Sequence, residues 1–372
     1  MERLKTPYFL VKEKDLIKNL QILKEVKEKS GCKILLAQKA FSMYSVYPLI
    51  GQYLDGATAS GLYEARLGKE EMGKENHIYS PAYREDEIDE IISYVDHIVF
   101  NSFSQVKRYK EQVKKAGKSI GIRINPEYST QVGHEIYDPC ASGSRLGVLL
   151  HQLEKEDLSG IDGIHFHTLC EQNSDDLKKT LDVIEEKFGT YLHQMKWINF
   201  GGGHHITRED YDVDLLISCI LHIKETYNVE VYLEPGEAIA LNAGSLVTTV
   251  LEVVNNNIDI AILDTSAACH MPDVLEMPYR PPLKHSGLPK EKKYTYRLAG
   301  PTCLAGDVIG DYSFQTPLCA GEQLEFLDMA IYTMVKTNTF NGMPLPTIAL
   351  ERQNGEIEIV KQFSYEDFKR RL

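Results

Sequence analysis

Short apolar runs recur along the first two thirds of the chain, and many are followed by an amphipathic segment. The runs read Lys33-Ile-Leu-Leu-Ala37, Gly56-Ala-Thr-Ala59, His77-Ile-Tyr79, His97-Ile-Val-Phe100, Ser119-Ile-Gly-Ile-Arg-Ile124, Gly163-Ile-His-Phe-His167, Trp197-Ile-Asn-Phe200 and Val229-Glu-Val-Tyr-Leu233. Their length and spacing predict strands. Residues 86–94, 104–116 and 174–188 have helical periodicity, with Ser104 and Ser174 as N-caps of the last two. About eight strands alternating with helices predict a parallel sheet closed into a (β/α)₈ barrel. After about residue 240 the rhythm changes. Strand-like runs at 246–254, 258–263, 293–299, 323–326 and 347–350 alternate with Pro- and Gly-rich turns and predict a mostly β second domain. The borders read as 10–240 for the barrel and 241–372, together with residues 1–9, for the β domain.

The remaining features narrow the function. With 372 residues the chain is long enough for a large barrel plus a smaller domain. The formal charge of −13 argues against nucleic-acid partners, which need a basic face, and suits cationic small molecules. The first residues are charged where a signal peptide needs an apolar run, and no later stretch reaches membrane-spanning length. A cytoplasmic protein is expected. Cys32, Cys140, Cys170, Cys219, Cys269, Cys303 and Cys319 form neither a disulfide framework nor a CxxC pair.

Barrel active sites lie at the C-terminal ends of the strands, where this sequence gathers its polar residues. Lys39 closes the first run. A desolvated lysine there has a lowered pKa and offers a free amine for a Schiff base, although a snorkelling surface lysine has the same signature. Gly201-Gly-Gly203 can bring backbone N–H groups to a phosphate or simply make a tight turn. His165 and His167 share one face of their strand. Either could stack on a cofactor ring, and with Cys170, His204 and His205 nearby the alternative is a metal site. No carboxylate stands at a ligand spacing, so no metal is expected. Glu234, before Pro235-Gly236, is a carboxylate whose burial requires a partner: a protonated pyridine nitrogen or a structural Lys or Arg.

In this order these residues resemble the alanine-racemase-like, fold-type III decarboxylases that use pyridoxal 5′-phosphate. The resemblance runs over nearly the whole chain and continues in Gly300-Pro-Thr-Cys-Leu-Ala-Gly-Asp307, Asp328-Met-Ala-Ile-Tyr332 and Thr339-Phe-Asn-Gly342. It implies Lys39 as the Schiff-base lysine and His167 stacked on the cofactor ring. It further implies Gly201, Gly202, Gly203, Gly236 and Tyr332 at the cofactor, and Glu234 at the pyridine nitrogen. Cys303 and Asp307, the latter at the substrate, would be supplied by a partner subunit, which makes the protein a homodimer with two shared sites.

Within the family, ornithine and diaminopimelate decarboxylases carry Arg after Glu-Pro-Gly, where this chain has Glu237. Their Cys is followed by an acidic residue, where this chain has Leu304. The segments Asp264-Thr-Ser-Ala-Ala-Cys-His-Met-Pro-Asp273 and His167-Thr-Leu-Cys-Glu171 are instead similar to the carboxynorspermidine/carboxyspermidine decarboxylase branch. In that branch the residues matching Glu237 and Asp273 contact substrate. The implied reaction is loss of CO₂ from a carboxypolyamine, with carboxylates receiving the distal ammonium groups and Cys303 or Lys39 returning a proton to Cα. The alternatives are decarboxylation of diaminopimelate or ornithine and, outside catalysis, a cofactor-carrying barrel.

Overall fold

The computed structural model describes residues 4–131 and 138–372; of the N-terminal run read for a leader, residues 1–3 lie outside them. The chain divides into two compact units, 19–239 and 1–18 with 240–372. Strand β1 (Tyr8–Lys12) belongs to the second unit. The first unit is a closed parallel barrel of β2 (Lys33–Ala37), β3 (Gly56–Ala59), β4 (Glu75–Tyr79), β5 (His97–Phe100), β6 (Ser119–Arg123), β7 (Gly163–His165), β8 (Trp197–Asn199) and β9 (Glu230–Leu233). Every strand anticipated from the apolar runs is one of these eight. They read as unbroken apolar runs because both faces are covered: Ile34, Leu35 and Leu36 are all fully buried.

The single tryptophan decides part of the barrel's composition. Trp197 projects into the interior and donates Nε1–H to Ser119 Oγ at 2.9 Å. A Cβ at Gly163 would lie 2.0 Å from its ring and one at Gly121 2.4 Å. Glycine at those two positions is the room the indole needs.

The helices differ from expectation at their starts. Helix Phe103–Lys115 is capped by Ser102, whose side chain accepts from Gln105 N–H, and it buries Phe103, Val106, Tyr109 and Val113 on one stripe. Ser104 lies inside the helix. Helix Ser174–Leu192 begins at Ser174, after Asn173. The buried Ser174 hydroxyl donates to Asp212 O (2.7 Å), so a distant carbonyl takes the group that sequence alone assigned to capping.

The second unit is a sheet in the order β13-β12-β11-β10-β1-β15-β16, with β14 on β10. Its strands are β10 (Gly244–Asn256), β11 (Ile258–Leu263), β12 (Tyr294–Ala299), β13 (Val308–Phe314), β14 (Gln323–Leu327), β15 (Thr347–Glu351) and β16 (Ile357–Lys361). β1 lies antiparallel to β10 and parallel to β15, so the N-terminal segment is an interior strand of this sheet. Phe9, Leu246, Val250, Leu263, Leu298, Tyr312 and Phe326 are in its core. Among the described residues no helix is long and apolar enough to cross a membrane.

Candidate active site

Barrel closure brings the strand ends together. Arg123 ends β6, His165 ends β7, Asn199 ends β8, and Lys39, His167 and Glu234 follow β2, β7 and β9 within two residues. Lys39 has an exposed side chain, yet protein packs around its amine. That burial, then the charge of Arg123, lowers its pKa below the ordinary lysine value. Glu234 and Glu64 pull weakly the other way.

Glu234 is only 8% exposed. Its Oε1 accepts from Asn199 Nδ2 at 2.8 Å, and its Oε2 lies 3.3 Å from His165 Nε2. Burial would raise its pKa, but His165, His77 and Asn199 outweigh it and keep the carboxyl below the usual range. Among the described residues its ion-pair partners are histidines, His165 and His77, and not a lysine or arginine. A carboxylate so placed still has capacity for a cationic N–H. His165 is thereby a core histidine bonded to Glu234 and stacked on Tyr79 (5.4 Å, 22°).

His167 is fixed differently. Its Nδ1 accepts from Gly202 N–H at 2.9 Å, and burial, then the charge of Lys39, keeps its pKa far below the ordinary value. It presents a neutral ring of set orientation. Gly201 N–H donates to Asn199 Oδ1 (2.8 Å), so two of the three glycine N–H groups expected at a phosphate are committed to protein acceptors. The glycines also meet a packing need: at φ +68 and +83, Cβ atoms on Gly201 and Gly203 would lie 2.5 Å from Phe166 O and 1.9 Å from Leu169 O. His204 Nε2 lies 3.4 Å from Phe200 O. One nitrogen each of His165, His167 and His204 thus has its own protein partner, and among the described residues these histidines and Cys170 are not grouped as donors around one point.

Glu237 opens the short helix Glu237–Ala240 after Gly236, and His205 Nε2 is 3.2 Å from its carboxylate. Glu171, His205 and Glu237 offer donor atoms within 4.8 Å of one another. Glu171 has φ 54, a left-handed conformation that costs a residue with a Cβ about 1 kcal/mol or more.

The sheet unit arranges its motif residues among themselves. Asp307, expected at the substrate, is 2% exposed. Its oxygens accept from Thr302 Oγ1 (2.7 Å) and Ala268 N–H (3.2 Å), so it shapes the loop 300–307. Cys303 is exposed on that loop, its N–H held by Asn341 Oδ1 at 2.9 Å. Asp273 pairs with Lys336. Tyr332 is half-buried at φ 54, strained for an aromatic residue.

Sequence reading missed Arg123, Asn199 and Glu64. Arg123 is 5% exposed, lies over the Tyr79 ring at 4.6 Å, donates to His167 O at 3.1 Å and leaves Nε without a partner among the described residues. The signal was present: a charged or amide side chain closing an otherwise apolar strand, as in Ile-Arg-Ile and Ile-Asn-Phe.

A closed barrel with an amine of lowered pKa, a fixed neutral imidazole and a buried carboxylate at its mouth, on a chain with a mostly β second unit, defines the fold-type III class of pyridoxal-phosphate enzymes. The family described as pyridoxal-dependent decarboxylase, C-terminal sheet domain, matches residues 40–330, and the chain belongs to it. Carboxynorspermidine/carboxyspermidine decarboxylase of Campylobacter jejuni is 46% identical, over 100% of this chain and 99% of that one. Carboxyaminopropylagmatine decarboxylase of Synechocystis is 44% identical, over 100% and 96%. A crystal structure of the Campylobacter jejuni carboxynorspermidine decarboxylase with norspermidine superposes with a TM-score of 0.93 at 44% identity, covering 99% and 100% of the two chains. Diaminopimelate decarboxylases match at 21–25% identity.

The residues present fit pyridoxal phosphate, an aromatic aldehyde with a basic ring nitrogen and a phosphate. Among the described residues Glu234 is a buried anion ion-paired with no lysine or arginine and Arg123 Nε is a buried donor with no acceptor, and Lys39 has a lowered pKa.

Proposed function

We propose that this decarboxylase removes CO₂ from carboxynorspermidine or carboxyspermidine, yielding the corresponding polyamine. The observation that carries the reading is Glu237. It stands one residue past the Glu-Pro-Gly turn, within reach of His205 and Glu171, and makes that side of the barrel mouth anionic. Ammonium groups along a polyamine side chain gain charge-assisted hydrogen bonds there, each worth about 1.5–3 kcal/mol, while a substrate whose far end is a carboxylate is repelled.

When bound, pyridoxal phosphate supplies the electron sink for the carbanion that CO₂ leaves behind. The protein's part is positional and electrostatic. Lys39, its pKa lowered by burial, would offer an uncharged amine to hold the cofactor through its aldehyde. Glu234, kept ionised by Asn199 and His165, holds a proton on the ring nitrogen. The neutral face of His167 would lie against the ring, and Gly203, Gly236 and Tyr332, with Gly201 and Gly202 shaping the turn, would hold the phosphate. Cys303 returns a proton to Cα, and Asp273, released from Lys336, receives a substrate amine. Resemblance to the family supports a cytoplasmic homodimer in which the Cys303 loop of one subunit serves the Lys39 of the other. Coexpressing Lys39→Ala with Cys303→Ala would then restore about a quarter of the sites by random pairing. No recovery above the separate variants would exclude sharing.

The 44% match to a carboxyaminopropylagmatine decarboxylase favours a second reading, in which a guanidinium replaces the terminal ammonium on the same carboxylates. A CO₂-release comparison of carboxynorspermidine, carboxyspermidine, carboxyaminopropylagmatine, diaminopimelate and ornithine separates these. The first two should have the highest kcat/KM, and a higher value for diaminopimelate or ornithine would refute the proposal.

A further inference from the structure

Behind Glu234, toward the N-terminal ends of the barrel strands, lies a group of charges that the reaction above leaves unused. Glu75 opens β4 and His77 follows two residues on, so their side chains share a face. Glu75 accepts from Lys33 Nζ (2.9 Å) and Tyr232 OH (2.8 Å), and its Oε1 is 3.0 Å from His77 Nε2. Burial works against its ionisation, but the hydrogen bonds from His77 and Lys33 win and hold the carboxyl well below the ordinary range. An ionised carboxylate has no proton to give, so Nε2 of His77 is the donor.

The other nitrogen of that ring is the unusual one. His77 is fully buried, its Nδ1 has no hydrogen-bond partner among the described residues, and Nδ1 lies 3.9 Å from Glu234 Oε1. With Nε2–H committed to Glu75, the occupancy of Nδ1 decides how the ring acts on Glu234. A proton there makes a row of carboxylate, imidazolium and carboxylate; without it a lone pair faces an anion.

We propose that His77 is a positioning residue for Glu234: anchored on Glu75, it sets the orientation of the carboxylate that meets the cofactor ring nitrogen. The proposal rests on that reading of Glu234. The other groups around the imidazole fit the role. His97 on β5 stacks on it with centroids 4.0 Å apart, and burial drops its pKa to about 3, so it adds no competing charge. Trp197 on β8 and Tyr232 on β9 pack against the ring. His165 on β7 and Asn199 on β8 bond Glu234 itself. Lys33 on β2, shared with Glu230 on β9 at 3.3 Å, holds Glu75 from the far side.

Glu75, His77 and His97 also offer donor atoms within 4.8 Å of one another, which invites a metal. The stacking opposes it. Planes inclined by only 17° put the two imidazole lone pairs in nearly parallel sheets, and no single ion lies about 2 Å from both nitrogens and in both planes.

The test is equilibrium binding of pyridoxal phosphate, and of its analogue with carbon in place of the ring nitrogen, to the full-length chain stripped of cofactor. Only an effect through the ring nitrogen changes the preference between the two. Glu234→Gln should abolish the preference, His77→Gln should shrink it about tenfold, and Glu75→Gln about threefold, on the scale of one pKa unit or less. Equal weakening of both ligands by His77→Gln, or an unchanged preference, would overturn the role of His77. If His77→Gln does not fold, Glu75→Gln decides on the same criterion. An unchanged preference in Glu234→Gln would overturn the reading of Glu234, and the proposal with it.

Discussion

At the N-terminal ends of the barrel strands Lys33 bonds Glu75 and Glu230, Lys196 bonds Asp162, and the Trp197 indole reaches Ser119. At the C-terminal ends the residue types are similar, yet among the described residues Lys39 forms no ion pair, Arg123 Nε has no acceptor, and Glu234 is ion-paired with histidines alone. The first end answers its charges internally. The second holds charges in a geometry that only an added group completes. Partner satisfaction, more than residue type, separates a supporting end from a reactive one.

The contrast can be broken by mutation, and the largest effect belongs to Lys39→Ala. It should lower kcat/KM by about a thousandfold or more and remove the visible absorbance of the bound cofactor, while thermal unfolding of the cofactor-free chain stays within about 2 °C. A comparable loss of stability would mean that Lys39 is structural. Glu234→Gln should cost about a hundredfold in kcat, because the ring nitrogen loses its anion. Glu237→Gln should raise KM for a carboxypolyamine about tenfold, or ~1.4 kcal/mol, with kcat nearly unchanged. Diaminopimelate should gain relative to the polyamine substrate in that variant.

At the opposite end of the barrel, Lys33→Met should leave kcat within about twofold and lower the free energy of urea unfolding by about 1 kcal/mol. The pH dependence follows from Glu75. Its folded-state carboxyl titrates below the ordinary 4.5, so its stabilisation is present above that pH and is lost as pH falls below it. Glu75→Gln should therefore flatten the acid limb of the stability profile of the cofactor-free chain below about pH 4.5. An acid limb identical to wild type would show that the carboxylate is not held ionised by its neighbours.

Apolar periodicity sufficed for all eight barrel strands, because each is buried on both faces and states this locally. It was weaker in the sheet unit. β13 and β16 escaped notice, β16 because Ile357 and Ile359 are exposed and supply no buried stripe, and β1 because its partners Leu246 and Ile348 lie more than 200 residues away. Lys39, His167 and Glu234 were legible as polar side chains at strand ends. Arg123 carried the same signal as a charged side chain closing an apolar strand, whereas the role of His77 depends on what it faces across the barrel. Likewise only the folded chain commits Gly201 and Gly202 N–H to Asn199 and His167, closes Asp307 on Thr302 and Ala268, and sends the Ser174 hydroxyl to Asp212. The sequence by itself determined which residues are buried in strands and which reactive groups stand at their ends, because period and composition are properties of neighbours in the chain. Tertiary structure decided which donors and acceptors are already spent, because a hydrogen bond is a choice among groups that only folding brings together.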